Sequence, residues 1–162
     1  MSRTATCDRN TKETQIHIEL NIDGTGQYNI DTGVGFFDHM LEGFARHGLF
    51  DLTVKVKGDT QVDAHHTVED TGIVLGKAFL SALGDKAGIA RFGYFILPMD
   101  DALVLASLDF SGRMYFDFEA DLKAERLGTM ETEVVREFFM GLAGGVLSLI
   151  HISEPTRQAE IS

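Results

Sequence analysis

From Thr14 to Asn21 apolar and polar residues alternate, with Ile16, Ile18 and Leu20 on one face and Gln15, His17 and Glu19 on the other. A period of two with one apolar face predicts a half-buried strand, and Asp23-Gly24 predicts a hairpin turn into a second short strand near residues 27–30. The glycine-punctuated segment Thr32-Gly33-Val34-Gly35 leads into a helical apolar pattern over residues 36–47, closed by Gly48. Phe50, Leu52, Val54 and Val56 alternate with Asp51, Thr53, Lys55 and Lys57 as a further strand. A second helix is predicted over residues 64–83, capped by Asp63 and ended at Gly84. Residues 92–97, 103–109 and 113–118 read as strands. A last helix runs from Glu131 onward, with Val134, Val135, Phe138 and Leu142 on its apolar stripe. Strands mixed with three helices and joined by hairpins predict an α+β fold rather than a doubly wound parallel sheet. The residues themselves reveal no linker, low-complexity stretch or repeat.

The length of 162 residues fits one domain, or two small repeats packed as one unit, and 44% hydrophobic with 24% charged residues is a globular composition. Lys+Arg 14 against Asp+Glu 25 gives a net charge of -11. That balance repels phosphate backbones and excludes nucleic acid as the expected partner, while a few arginines gathered in a pocket still permit an anionic small molecule. No apolar run reaches the roughly 20 residues of a membrane helix, and the polar N-terminus lacks a secretory core. A cytoplasmic protein without a membrane partner is expected. The single cysteine, Cys7, rules out an intrachain disulfide and is expected in a mobile terminal segment without a catalytic role.

Of six histidines, four fall between His39 and His66. The strongest local signal is Asp63-Ala64-His65-His66-Thr67-Val68-Glu69-Asp70. On a helix His65 and Glu69 share a face and His66 lies three residues from Glu69. Imidazole with carboxylate suits Mn²⁺, Fe²⁺ or Zn²⁺. Adjacent histidines diverge by about 100°, so His65 and His66 serve two metals more easily than one. The alternative is a polar helix start capped by Asp63. His39 lies among core-like residues (Phe36, Phe37, Met40, Leu41, Phe44) and reads either as a ligand or as a satisfied core histidine. Gly33 and Gly35 form neither a P-loop nor a dinucleotide fingerprint. Arg91 and Arg113 are candidates to grip a phosphate, with surface ion pairs as the alternative. Met99-Asp100-Asp101-Ala102 offers either a carboxylate behind a metal-bound imidazole or a plain acidic turn. No hydrolase elbow is present.

RNTKET (9–14), TGVGFFDHMLEGFARHG (32–48), DAHHTVEDTGIVLG (63–76), RFGYFILPMDDAL (91–103) and SGRMYF (111–116) together resemble the imidazoleglycerol-phosphate dehydratase family. The resemblance implies tandem duplicated half-domains, each a small sheet with helices on one face, packed helix to helix. It implies a homo-oligomer of 24 subunits with two Mn²⁺ ions at subunit interfaces. His39 and His66 correspond to ligands of one Mn²⁺, and His65 and Glu69 to ligands of the other. Glu137 stands where many members carry a metal-binding histidine, a place a carboxylate can take. Glu13, Arg91 and Arg113 correspond to substrate-contacting positions, the arginines towards the phosphate, and His39, His47, His65 and Glu69 line the pocket. The implied reaction is dehydration of imidazole glycerol phosphate to imidazole acetol phosphate in histidine biosynthesis. Cations flanking the ring favour imidazolate, which expels hydroxide through a diazafulvene-like intermediate. Glu13 or Glu69 moves protons, with Glu13 preferred because a metal-bound carboxylate is the weaker base.

After residue 143 the family continues into a second His-His-x-x-Glu helix that this sequence does not contain. Residues 1–143 are therefore expected to form the dehydratase domain, with its second half incomplete. Residues 144–162 are expected to be a foreign tail that does not continue the pattern: residues 146–152 are apolar, Ser153-Glu154-Pro155 breaks them, and residues 156–162 are left polar without a partner element. The tail resembles translated sequencing-adapter read-through, and His151 is expected to be no ligand. Exposed core and loss of dehydratase activity are expected for the chain as written. The alternative is a non-catalytic metal-binding half-domain module.

Overall fold

The alternating residues of the first half close into a four-stranded sheet in the computed structural model, which describes residues 2–156. β1 (Thr4–Asn10) and β2 (Thr14–Asn21) form an antiparallel hairpin; β3 (Tyr28–Asp31) is followed by α1 (Gly35–Gly48), β4 (Asp51–Gly58) and α2 (His65–Leu83). The strand order is β1-β2-β4-β3, with β4 antiparallel to β2 and parallel to β3. Ile16, Ile18, Leu20, Leu52 and Val54 point inward and are buried beneath the helices.

Several expectations are corrected here. β3 is not the hairpin partner of β2, because β4 inserts between them; the Asp23-Gly24 turn leads instead past the place of β4 to the far edge of the sheet. Cys7 is not in a mobile terminus but in β1 opposite Ile18, packed against the core. The left-handed residue that ends α1 is Leu49 (φ 58°), not Gly48. Asp63 does accept a hydrogen bond from the His65 N–H (2.8 Å), while α2 itself starts one residue after helical Ala64.

The second half repeats the first. β5 (Phe92–Met99) and β6 (Ala102–Asp109) form a hairpin and β7 (Tyr115–Glu119) follows. A short ribbon of β8 (Arg126–Leu127) and β9 (Met130–Glu131) precedes α3 (Val134–Val146) and β10 (Leu149–Thr156). The order is β5-β6-β10-β7, with β10 antiparallel to β6 and parallel to β7, the same topology as the first sheet. Thr4 faces Asn21 and Phe92 faces Asp109, an offset of 88 at both positions. Leu49 and Leu147, 98 apart, end α1 and α3 in the same left-handed conformation. This is the tandem duplicated α+β fold, and strand register reveals it where residue identity does not.

The halves meet through α2 and α3. A Cβ at Gly72 would lie 2.4 Å from the Phe138 carbonyl oxygen, and one at Gly141 2.9 Å from that of Glu69. Gly76 lies similarly against Leu142 and Gly145 against Ile73, so contacts advance in the same direction along both helices and the pair runs parallel. Only glycine permits backbone to approach backbone this closely.

Residues 144–156 continue this architecture, whereas the pattern was expected to break off along them. Ile150 is buried, and β10 fills the gap between β6 and β7. Alternation over residues 149–153 suffices to occupy that slot whatever its origin. The register shifts between Ser153 and Thr156, where Pro155 has no N–H to donate. Residues 157–162 lie outside the described residues.

The two sheets differ in cover. Ile16 and Leu20 are 2% exposed beneath α2, whereas Val104 and Leu108, 88 positions later, are 38% and 36% exposed, and β5 is exposed along its length. Among the described residues no helix does for the second sheet what α2 does for the first.

Candidate metal and substrate site

The first turn of α2 gathers most of the chemistry. β4 ends at Gly58, where a Cβ would collide with Thr67, so the strand delivers Asp59 directly onto the helix. The Asp59 carboxylate lies 3.0 Å from His66 Nδ1, and its other oxygen is buried without a partner. With Nδ1 donating to Asp59, the lone pair of His66 is on Nε2, the arrangement of a metal-ligating histidine. This hydrogen bond raises the His66 pKa, with smaller contributions from the charges of Asp59, Glu13 and Asp63. Glu13 therefore lies within electrostatic reach of His66; it sits exposed in the β1–β2 turn.

His65 turns away from His66, the rings standing 6.1 Å apart at 79°. Its Nε2 lies 3.5 Å from Glu69 Oε2, one helical turn on. Two faces of one helix start thus carry separate donor groups, as the spacing predicted. Glu137 belongs to the same level: Gly141, one turn later on α3, meets the Glu69 carbonyl, so Glu137 stands level with His65 on the parallel helix. Its carboxylate is 3.5 Å from Arg136 Nη1. Glu137 also lies 98 residues after His39, which makes the two equivalent in the repeat.

The other predicted residues are not brought to this cluster. His39 and His47 lie exposed on α1. Arg91 is paired bidentately with Asp109, through Nε at 2.6 Å and Nη2 at 3.0 Å. That pair lowers the Asp109 pKa, with Arg113 contributing through its charge, so both arginines surround one carboxylate. They sit where Gly112 N–H donates to the Leu147 carbonyl at the end of α3, ten residues beyond the level of Glu137, or about 15 Å along the helix. His151 lies beside Asp117 at 3.3 Å and against the Tyr115 ring, away from the cluster.

Sequence reasoning missed the role of Asp70, which is buried between α2 and the first sheet, accepting from Thr14 Oγ1 at 2.5 Å and pairing with Arg9 Nη2 at 2.9 Å. Asp101, in the acidic turn already singled out, lies between β5 and β6 at the position 88 residues after Glu13, an equivalence only the strand register reveals.

Imidazole and carboxylate donors match Mn²⁺ in kind, and the Asp59–His66 contact orients one imidazole for it. They do not complete a shell: among the described residues no group of three or more His, Cys, Asp or Glu is placed to hold one ion. The donor clusters fit as partial sites.

The sequence model described as imidazoleglycerol-phosphate dehydratase matches residues 32–160. The chain is 56% identical over 154 residues to the imidazoleglycerol-phosphate dehydratase of Lachnoclostridium phytofermentans, covering 95% of this chain and 79% of the relative. It is 58% identical over 152 residues to that of Acetivibrio thermocellus, covering 94% and 78%. The Staphylococcus aureus imidazoleglycerol-phosphate dehydratase structure superposes with a TM-score of 0.84 at 35% identity, covering 94% of this chain and 84% of the other. The Pyrococcus furiosus structure, a complex with (S)-C348, gives 0.79 at 36% identity over 92% and 79%. In sequence, repeat topology and the motifs gathered at the start of α2, this chain belongs to the imidazoleglycerol-phosphate dehydratase family.

Proposed function

We propose that the chain carries the metal-binding and proton-handling part of a hydro-lyase site that dehydrates imidazole glycerol phosphate to imidazole acetol phosphate in histidine biosynthesis. The observation that carries this reading is the first turn of α2, where His65–Glu69 and His66–Asp59 form two separate donor pairs and Glu13 lines the same concavity as Asp59. His65 and Glu69 are assigned to one Mn²⁺ and His66, with His39, to the other; Glu137 is a further candidate for the first. When bound, the two ions supply positive charge beside the substrate's imidazole ring, stabilising the charge that develops as hydroxide departs.

The chain's own residues then have distinct tasks. Asp59 holds the His66 N–H and fixes the tautomer. Glu13, exposed and outside both donor pairs, moves the proton between substrate carbon and solvent; Glu69 is the weaker base once it shares its charge with a cation. His47 and His39 line the approach along α1. Arg91 and Arg113 bind the phosphate, with Arg91 exchanging its bidentate hold on Asp109 for the equivalent geometry on a phosphate. Because the arginines lie about 15 Å along α3 from the histidine level, one substrate is served by residues of more than one copy. A cytoplasmic homo-oligomer, of 24 subunits as the family resemblance implies, is consistent with that division.

The sequence contains one His-His-x-x-Glu helix start where the family resemblance implies two, and association of copies adds no second kind, so the 162-residue chain is expected not to turn over. The foreign origin of residues 144–162 is part of the same proposal; resequencing the 3′ end of the gene and finding this tail encoded there would overturn it. The site is tested by titrating the chain with Mn²⁺ in a calorimeter. Weak binding that Glu69→Gln reduces at least about tenfold supports the assignment. A tight stoichiometric site in a folded monomer, unmoved by Glu69→Gln, would favour a non-catalytic metal-binding module.

A further inference from the structure

The β1–β2 turn that carries Glu13 is exposed, yet its geometry is dictated from inside the protein. Thr11 N–H donates to the Thr14 carbonyl at 2.8 Å, and the N–H groups of Glu13 and Thr14 both donate to Thr11 Oγ1, at 3.2 and 2.9 Å. Thr14 Oγ1 gives its single proton to Asp70 at 2.5 Å, so in the 3.1 Å contact between the two threonine hydroxyls Thr11 is the donor, with the Thr14 carbonyl at 3.3 Å as a second acceptor in reach of the same proton. The result is a directed chain, turn amides to Thr11, Thr11 to Thr14, Thr14 to Asp70. It ends on a carboxylate that is only 7% exposed. Arg9 closes the arrangement from β1 by pairing its Nη2 with the other Asp70 oxygen at 2.9 Å. The Arg9 Nε is buried without a hydrogen-bond partner, so the guanidinium is held through its Nη2 contact with Asp70.

Asp70 thus ties α2 to Arg9, the last residue but one of β1, and to Thr14, the first residue of β2. Placed beside Glu69 in sequence, it faces the sheet rather than the proposed metal donors. A buried carboxylate with a costly charge would be retained at this place if it sets a geometry that apolar packing cannot. We propose that Asp70 is a positioning residue: through Thr14 and Arg9 it holds the Thr11–Glu13 turn at the rim of the concavity that Glu13 shares with Asp59. What Glu13 does there rests on the function proposed above; that Asp70 places it does not.

The test is carried out by NMR on the whole chain without metal, with amide exchange resolved by residue. Asp70→Asn and Thr14→Val are expected to speed exchange at Glu13 and Thr14 about tenfold or more and to lower the backbone order parameters of residues 11–13. Thr14→Ser, which keeps the hydroxyl, is expected to restore both. Amides of α2 from Val68 to Leu75 should stay within about threefold of the parent, since a positioning role is local. Mn²⁺ affinity, measured in parallel, should change little in Thr14→Val, because the proposed metal donors are not moved. The proposal is overturned if turn and helix amides accelerate together, which marks Asp70 as an ordinary core ion pair. It is equally overturned if the order parameters of the turn hold in both variants, or if Thr14→Ser behaves as Thr14→Val. An unmoved Mn²⁺ affinity in Glu69→Gln would sink the metal assignment instead and leave these outcomes readable.

Discussion

The parallel packing of α2 on α3 sets the level of Glu137 against His65, and it rests on four glycines whose replacement has a calculable consequence. At Gly72 an added Cβ would sit 2.4 Å from the Phe138 carbonyl oxygen and 3.2 Å from its carbon. Ordinary contact needs the helices to part by about 1 Å, and the neighbour is backbone, which cannot swing aside. Overpacking of this kind costs about 1–3 kcal/mol, against a helix-propensity gain of up to about 1 kcal/mol for alanine over glycine. Gly72→Ala is therefore expected to destabilise by roughly 1–2 kcal/mol, a fall in Tm of about 3–6 °C for a domain of this size. Gly43 in α1 and Gly144 in α3 are also helical, but a Cβ there meets nothing within 4 Å. Alanine at either should stabilise by about 0.5–1 kcal/mol through the same propensity term alone. Thermal and urea unfolding of Gly72→Ala, Gly141→Ala, Gly43→Ala and Gly144→Ala reads the contrast in sign directly. If Gly72→Ala melts at or above Gly43→Ala, the close parallel crossing is not the one described.

Leu49 is a non-glycine residue at φ 58° and 58% exposed, so Leu49→Gly should relieve backbone strain and stabilise by about 1 kcal/mol, measured by urea unfolding. His17 is flanked by Asp8 at 2.8 Å and Glu19 at 3.4 Å, and the hydrogen bond to Asp8 is the main cause of its raised pKa. A raised pKa means stability present below the unfolded value near 6.5 and lost as pH rises through the folded value. Asp8→Asn should accordingly cost a few tenths of a kcal/mol at pH 5.5 and nothing at pH 8.5, as read from paired melts. The bare inner face of the second sheet is expected to drive self-association, so Val104→Asp with Leu108→Asp should lower the sedimentation-average mass without lowering Tm.

Much of this molecule was legible along the chain because its signals are local. β2 and β4 alternate cleanly since α2 covers one face and solvent the other. The His65–Glu69 pairing follows from helical spacing alone. The misreadings have long-range causes. β1 was overlooked because its inward residues are Ala5, Cys7 and Arg9, small or charged rather than large and apolar. Asp23-Gly24 has the composition of a hairpin turn, and only the later insertion of β4 denies it that role. For Arg91 the sequence left a phosphate and a surface ion pair both open, because its ion-pair partner, Asp109, lies on the neighbouring strand. Asp70 was invisible as a structural carboxylate because Thr14 and Arg9 reach it from strands far back in the chain. The residues alone did not reveal the duplication, which the family resemblance supplied, because the halves share register and caps while their residues have diverged.

The proposed metal donors and the arginines proposed to bind phosphate lie at different levels of the chain, and among the described residues no three donors gather around one position. Purified 162-residue chain, supplied with Mn²⁺ and imidazole glycerol phosphate and assayed for imidazole acetol phosphate, tests this most directly. The expected result is no turnover above the metal-only background. Mn²⁺-dependent turnover by this chain would contradict the account, because it would require complete metal shells that one His-His-x-x-Glu helix start per chain does not supply.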